Sequence, residues 1–325
     1  MKILITGAPG WLGNILVESL IKEKHKVRCL VLKDSNYQEL KKMGAECVEG
    51  NLTEAESLKE IAKGIDVVVH AAGIIHPKKI CELYLINTRG TKYLLNEAVN
   101  SGVKKFVYIS SNSPAGCNKN RNKLMKENDR YNPYMNYGRS KMLAEKIVMK
   151  AYQDKLIETV IIRPCWFYGP GQPARQTTFF KMIQKGNPIV FGDGKNLRSM
   201  SYIYNLVDGI KLAIKSKKAN GETYWIADKK PYTTNEIYGT VAKIFNVELK
   251  PRFIPGISSE ICKIIDTLIQ SVGFYQQEFH VAGEMNKDIA CSIEKAEKEL
   301  GYKPKVALEQ GMKESIAWCK KKGLL

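Results

Sequence analysis

The sequence predicts an α/β fold: a doubly wound parallel sheet carrying a smaller, mostly helical lobe. Three observations predict it. Short apolar runs alternate with longer amphipathic runs through the first half of the chain. The apolar runs are nearly uninterrupted, as in strands buried on both faces. The first run ends in a glycine-rich turn that opens directly into an amphipathic segment. Alternation of this kind folds as a parallel sheet covered by helices on both sides.

The elements follow in order. Strands are expected over Lys2–Thr6, Lys26–Leu32, Glu46–Glu49, Asp66–His70, Lys105–Ser110 and Thr159–Arg163. Helical spacing of apolar residues predicts helices over Trp11–Glu23, Tyr37–Met43, Ala55–Ala62, Leu83–Ser101 and Tyr134–Gln153. After Pro164 the alternation loosens, and glycine and proline concentrate between Gly169 and Gly194. From Lys229 to Leu325 the chain reads as mostly helical, its last helix, Leu308–Cys319, following the turn Gly301-Tyr302-Lys303-Pro304. Ser199–Ser216 and Glu222–Ala227 read as returns to the main sheet. The expected division is residues 1–164, with returns near 199–227, as the sheet domain. Residues 165–198 and 228–325 form the lobe that covers the substrate.

Bulk properties narrow the function classes. The chain has 51 basic and 33 acidic residues in 325, a net charge of +18. Its lysines are spread rather than blocked, so they read as solvated helix faces and no nucleic acid partner is expected. One cluster stands apart: Lys119, Arg121, Lys123, Lys126 and Arg130, leading into the helix expected at Tyr134. It would either meet a phosphate-bearing substrate or form a solvated loop. The eight cysteines include no Cys-x-x-Cys pair, and the four histidines are scattered. Reduced thiols and no metal site are the expectation. The longest apolar stretch, Ile65 to Ile75, holds Asp66 and His70 and is too short to span a bilayer. Met1 to Thr6 runs straight into the first strand, so no secretory leader is expected and the expected location is the cytoplasm.

The turn Gly7-Ala8-Pro9-Gly10-Trp11-Leu12-Gly13 sits where chemistry can use it, between a strand and a helix. Glycines there permit the tight turn and let the backbone approach a pyrophosphate. The helix N-terminus adds free N–H groups and a partial positive charge. Gly7, Pro9, Gly10, Trp11, Leu12 and Gly13 are therefore candidate cofactor contacts. A purely structural turn is the plain alternative. Further along, Tyr137-Gly138-Arg139-Ser140-Lys141 places a phenol and an amine four residues apart, hence on one helix face. An ordinary phenol, with pKa near ~10, is a poor base at neutral pH. A neighbouring ammonium favours the phenolate and lowers that pKa. Tyr137 would then take a proton from an alcohol or return it to a carbonyl. Upstream, the strand Phe106–Ser111 ends in hydroxyl residues.

The glycine spacing, three apart, resembles the short-chain dehydrogenase/reductase superfamily, in its extended branch of nucleotide-sugar epimerases, dehydratases and steroid-type dehydrogenases. The resemblance runs from Met1 to about Trp318 and implies a Rossmann-type dinucleotide-binding domain with NAD or NADP. His70-Ala71-Ala72-Gly73, Asn87 and Arg163-Pro164 continue it, and it assigns Ala71, Ala72, Gly73, Asn87, Ser110 and Pro164 to the cofactor. It makes Ser111, Tyr137 and Lys141 the catalytic unit: Ser111 holds the reacting oxygen and Lys141 also bonds the nicotinamide ribose. Ser110 and Ser113 are the alternates for that hydroxyl. The acidic residue that usually ends the second strand falls on Val31 here, followed by Leu32, Lys33 and Asp34. Lys33, with Arg28, would pair with a 2′-phosphate and tilts the choice to NADP; Asp34 bent back to the ribose would keep NAD. Asn51-Leu52 stands where the family has Asp-Leu near the adenine.

Relatives that remove water carry two acidic residues after the hydroxyl residue; here these are Asn112 and Ser113, which disfavours a 4,6-dehydratase. The first reading is an epimerase or ketoreductase for a nucleotide-activated sugar. The second is a hydroxysteroid- or dihydroflavonol-type dehydrogenase acting on an apolar substrate. A cofactor-sensing regulator without turnover is the third, and the intact catalytic unit argues against it. On the substrate side the resemblance names Ser111, Asn112, Ser113, Tyr168 and Arg198, the arginine either gripping a diphosphate or paired inside the lobe. The apolar helical region Ile254–Val281 would pack in the core, line an apolar pocket or form the surface of a homodimer.

Overall fold

The computed structural model describes residues 1–325, the Arg175 side chain excepted. Seven parallel strands form the main sheet: β1 (Lys2–Thr6), β2 (Lys26–Val31), β3 (Glu46–Glu49), β4 (Val67–His70), β5 (Lys105–Ile109), β6 (Glu158–Pro164) and β11 (Glu222–Ile226). Their order across the sheet is β11-β6-β5-β4-β1-β2-β3. The order reverses between β1 and β4, the switch point of a doubly wound sheet, and there the carboxyl ends of neighbouring strands leave a crevice. Short strands β7 (Trp166–Tyr168), β8 (Ile189–Phe191), β9 (Leu197–Arg198), β10 (Met200–Tyr202), β12 (Tyr232–Thr233) and β13 (Arg252–Ile254) pair among themselves outside it.

One side of the sheet is covered by α1 (Trp11–Lys22) and α7 (Ile203–Lys215), the other by α4 (Thr91–Asn100) and α5 (Met135–Gln153). Leu16, Val17 and Leu20 of α1 join Ile3 and Ile5 in one core. Leu94, Leu95, Ala144 and Val148 meet Leu4 and Phe106 in the other. Alternation along β1 thus feeds both layers, as the near-continuous apolar strands require. Lys105, at the buried start of β5, donates to the carbonyl of Ser216 at 2.8 Å and caps the end of α7.

The remaining helices α2 (Gln38–Lys42), α3 (Ile80–Leu83), α6 (Ala174–Gln184), α8 (Thr234–Phe245), α9 (Ile257–Ser271), α10 (Gln277–Glu284), α11 (Glu294–Leu300) and α12 (Leu308–Lys321) complete the chain. A third core, around Phe180, Tyr202, Ile237 and Met312, holds α6, α8 and α12 together.

Two expected helices differ. Ala55–Ala62 is a single 3₁₀ turn, Ala55–Leu58, followed by turns. The Ser57 hydroxyl bonds the backbone of Asn51 and Glu54 there, competing with a helix. Leu83–Ser101 is interrupted by a π-helical turn, Tyr84–Gly90. Among the described residues no helix is long and apolar enough to cross a membrane, no His/Cys/Asp/Glu group could hold a metal, and all eight cysteines are free.

Candidate active site

The crevice is built from close approaches that only glycine allows. Gly7 adopts φ +88°, and a Cβ added there would lie 2.7 Å from the Ala71 carbonyl carbon and the Ala72 nitrogen. At Gly13 it would lie 2.5 Å from the Gly7 oxygen. The Gly10 N–H donates to the Gly7 carbonyl at 2.9 Å and closes the turn. Gly10 is the N-cap of α1 and no side chain caps that helix, so its first N–H groups remain for an anion. The cradle fits a pyrophosphate. The Trp11 indole donates to the Pro170 carbonyl at 2.7 Å and pins the loop after β7 to the mouth.

Behind the turn lies a neutral relay. The Thr6 hydroxyl and His70 Nδ1 are 2.7 Å apart, and His70 Nε2 is 2.9 Å from the Thr91 hydroxyl. Thr91 donates to the Asn87 carbonyl and the Ala72 N–H donates to Thr6 Oγ1. With the Thr91 proton committed, the network assigns the His70 proton to Nε2. Complete burial, with the Lys141 ammonium adding to it, pushes the His70 pKa down to about 3, so the ring stays neutral. The relay fixes the tail Ala71–Gly73. Asn87 finishes the job from the π turn: its amide accepts from the Ile74 N–H at 2.8 Å and donates to the Ile74 carbonyl and to Ser140 of α5. π turns of this kind recur at functional sites.

On α5 the residues Tyr137, Lys141 and Glu145 share one face. Lys141 is buried; its Nζ donates to the Ile109 carbonyl at 2.7 Å and lies 4.3 Å from the centre of the Tyr108 ring. A Cβ on Gly73 would come within 3.9 Å of that same Nζ, so the amine borders the tail of β4. Burial pushes its pKa down to about 7, against the pull of Glu145. Tyr137 is half-buried. Gly138 lets its turn approach the serine loop: a Cβ there would lie 2.5 Å from the Ser113 oxygen, which accepts the Tyr134 N–H at 2.9 Å. Ser111 is half-buried, its hydroxyl 3.3 Å from that of Ser113. Fold and packing therefore bring the glycine turn, Ala71–Gly73, Asn87, Ser111–Ser113 and Lys141 to one crevice, with Tyr137 four residues before Lys141 on α5.

The model of the family described as "3-beta hydroxysteroid dehydrogenase/isomerase family" matches residues 4–255, most of the chain. The chain belongs to this family. It is 42% identical to the uncharacterized protein y4nL of Sinorhizobium fredii, over 99% of this chain and 96% of that protein. It is 31% identical to a UDP-glucose 4-epimerase of Vibrio cholerae, over 97% of this chain and 94% of that one. Its fold matches a Thermotoga maritima UDP-glucose 4-epimerase crystallised with UDP-glucose, at a TM-score of 0.81 and 22% identity, each chain covered to 99%.

Within this member of the hydroxysteroid dehydrogenase/isomerase family several expected contacts lie elsewhere. Tyr168, expected at the substrate, is buried, and its hydroxyl donates to Asp228 at 2.6 Å. Arg198, expected at a diphosphate, donates to the Glu284 carbonyl inside the lobe. Ser110 donates its hydroxyl to Glu145 at 2.5 Å. Arg28 sits three residues below the end of β2, where it pairs with Glu46 and donates to the Ile61 carbonyl, out of reach of a phosphate at the strand end. Lys33 and Leu32, by contrast, are exposed just beyond the end of β2, where nothing in the fold removes them from a ribose or its phosphate. Asn51 donates to Glu54, Leu52 packs under Gly90, and Pro164 is buried at the end of β6. Ile254–Val281 does not pack its apolar stripe in the core: the stripe faces outward.

One group was missed by the sequence reading. Glu145 and Arg163 form a buried bidentate pair, 2.6 and 3.0 Å, with Ser110 as a third partner. The guanidinium also lies over the rings of Tyr131 and Trp225. The signal was present as the four-residue spacing from Tyr137 through Lys141 to Glu145. The pair ties α5 to β6 and so fixes the depth at which Lys141 sits.

Proposed function

We propose that this chain is an NAD(P)-dependent oxidoreductase working at an alcohol or ketone carbon, and that its substrate is a nucleotide-activated sugar epimerised through a transient ketone. One observation carries the reading: a buried amine, one turn from Tyr137, beside a glycine-lined crevice. A bound nicotinamide supplies the hydride acceptor and donor. The chain's own residues do the rest. Tyr137 takes the hydroxyl proton and returns it to the carbonyl oxygen. While protonated, below its pKa of about 7, Lys141 favours the phenolate. Ser111 holds the reacting oxygen in line, with Asn112 and Ser113 beside it. Gly7, Gly10 and Gly13 with the start of α1 receive the pyrophosphate. Neither Asn112 nor Ser113 offers a second acid or base for dehydration. The named activity of the Vibrio cholerae relative supports the sugar reading; the family description supports an apolar alcohol as the second.

The test is mass spectrometry of nucleotide released from the purified protein, followed by assay on UDP-sugars without added cofactor. Tightly held dinucleotide and inversion at a sugar carbon are expected. Exchangeable cofactor with oxidation of a sterol only would replace the first reading by the second; no nicotinamide nucleotide binding at all would remove both. Lys33 is exposed at the end of β2 with no carboxylate partner among the described residues. Lys33→Ala should weaken NADPH about tenfold and leave NADH unchanged, the worth of one charge-assisted contact. Equal loss for both in a binding titration would remove the 2′-phosphate contact.

A further inference from the structure

The outer face of α9 inverts the usual rule. Ile257, Ile261, Ile264, Leu268 and Val272 recur at helical spacing and are each between 50% and 70% exposed. Phe253 and Phe274, just before and after the helix, extend the stripe and are both 57% exposed. Solvated helix faces elsewhere in this chain carry charge: α12 exposes Glu309, Lys313 and Lys320. A continuous exposed apolar stripe on a soluble domain marks a surface that something else covers.

Its surroundings say what. Lys250 and Arg252 lie ahead of the helix, and Lys78 and Lys79 lie beside its end, where Lys79 bridges to Phe274. The Lys78 backbone N–H donates to Glu82 at 3.1 Å, but none of the four side chains forms an ion pair among the described residues. The acids nearby are Glu82, Glu278, Glu260, which pairs with Lys287, and Glu284, whose charge acts on Tyr134 and Cys117 of the cavity lining. Behind the stripe, between α9 and the start of α5, is a cavity of about 750 Å³. Lys119, Arg139, Lys263 and Lys287 line it and no carboxylate does. The buried hydroxyl of Tyr134, a residue of its lining, has no hydrogen-bond partner among the described residues. Thr267 and Ser271 form its edge directly beside Ile264 and Leu268. An apolar stripe next to a cationic hollow is the complement of an acyl chain next to a phosphate. A second copy of this chain fits less well, because it would bring two basic rims of a +18 protein face to face.

We propose that α9 is a membrane-interface helix: its aliphatic stripe enters the acyl boundary of an anionic bilayer, and a lipid phosphate occupies the basic cavity behind it. Helices of this amphipathic kind lie in the interface plane, held by buried apolar area and by attraction to anionic headgroups. The inference stands apart from the redox reading, since it concerns binding alone.

The test is co-sedimentation of the full chain with vesicles of phosphatidylcholine and phosphatidylglycerol in equal parts, against phosphatidylcholine alone. Binding to the mixed vesicles only is expected. The variant I264E/L268E should weaken it at least about tenfold, and K119A/K263A should weaken it less, with both melting as the parent does. All four positions are at or near the surface, so folding is expected to survive. Binding to mixed vesicles that survives I264E/L268E would reduce the effect to bulk charge and overturn the proposal. So would a dimer in sedimentation velocity that I264E/L268E splits, which would make the stripe a self-interface. Saturable binding of inorganic phosphate without any vesicle binding would assign the cavity to a free anion instead.

Discussion

Two helices that meet at Asn136 and Gln270 depart from the burial rule in opposite senses. α5 buries Lys141 and Glu145; α9 and its C-cap Val272 expose five aliphatic side chains. Charged residues are almost never fully buried without partners, and large apolar stripes are rarely left in water. Neither departure helps the fold by itself. The difference teaches where to look for work: on α5 the burial tunes an amine beside a phenol, and on α9 the exposure leaves a face for a partner. The sharpest way to break the comparison is at Tyr137. Tyr137→Phe keeps the ring and its packing and removes only the proton carrier. Turnover should fall about 10² to 10⁴-fold, with dinucleotide affinity unchanged in a fluorescence titration. Unchanged turnover would leave α5 as a structural helix with an odd lysine.

The next largest effect concerns the pair beneath Lys141. Arg163 and Glu145 are 3% and 0% exposed, so removing one leaves the other charged and without its partner in the interior. Glu145→Ala also strips Ser110 of its acceptor. It should cost about 3–5 kcal/mol, read from a denaturant midpoint. Its surface counterpart, Lys22 with Glu18, also four apart on a helix, is largely exposed, and Lys22→Ala should leave the midpoint where it is. Similar losses in both would mean that burial does not separate the two pairs.

Much of this was readable in the chain, and the reasons are local. A strand running into Gly7-Ala8-Pro9-Gly10 declares its turn because φ above zero and missing Cβ atoms are written in residue type. Tyr137 and Lys141 announce a shared face because four residues make about one helical turn. What stayed hidden depends on partners far along the chain. Tyr168 finds Asp228 sixty residues away, and Arg198 finds the carbonyl of Glu284. No local pattern gives those pairings. The π turn around Asn87 reads as ordinary helix, because one extra residue per turn leaves the apolar spacing almost intact. The stripe of α9 shows the deeper limit. Periodicity reveals that a helix has an apolar side, and the default assumption turns that side inward; only packing reveals that it turns outward.

The smallest effect isolates Lys141 by pH. In the folded chain its pKa is about 7, because the interior disfavours the ammonium; in the unfolded chain it returns to the ordinary 10.5. Between those values the unfolded state holds a proton that the folded state has released. Stability from this residue is therefore full above 10.5, rises with pH through the window, and is lost as pH falls through 7. The slope is at most about 1.4 kcal/mol per pH unit. The buried thiols act oppositely, since burial raises Cys29 from 9.0 to about 12, but they enter only as pH approaches 9. The range from pH 7 to about 8.5 is thus the clean one for Lys141. There the denaturant midpoint of the parent should climb, while that of Lys141→Met should stay level. A parent whose midpoint is flat across that range would mean that the ammonium is not disfavoured by its burial, and the contrast between α5 and α9 would lose its electrostatic half.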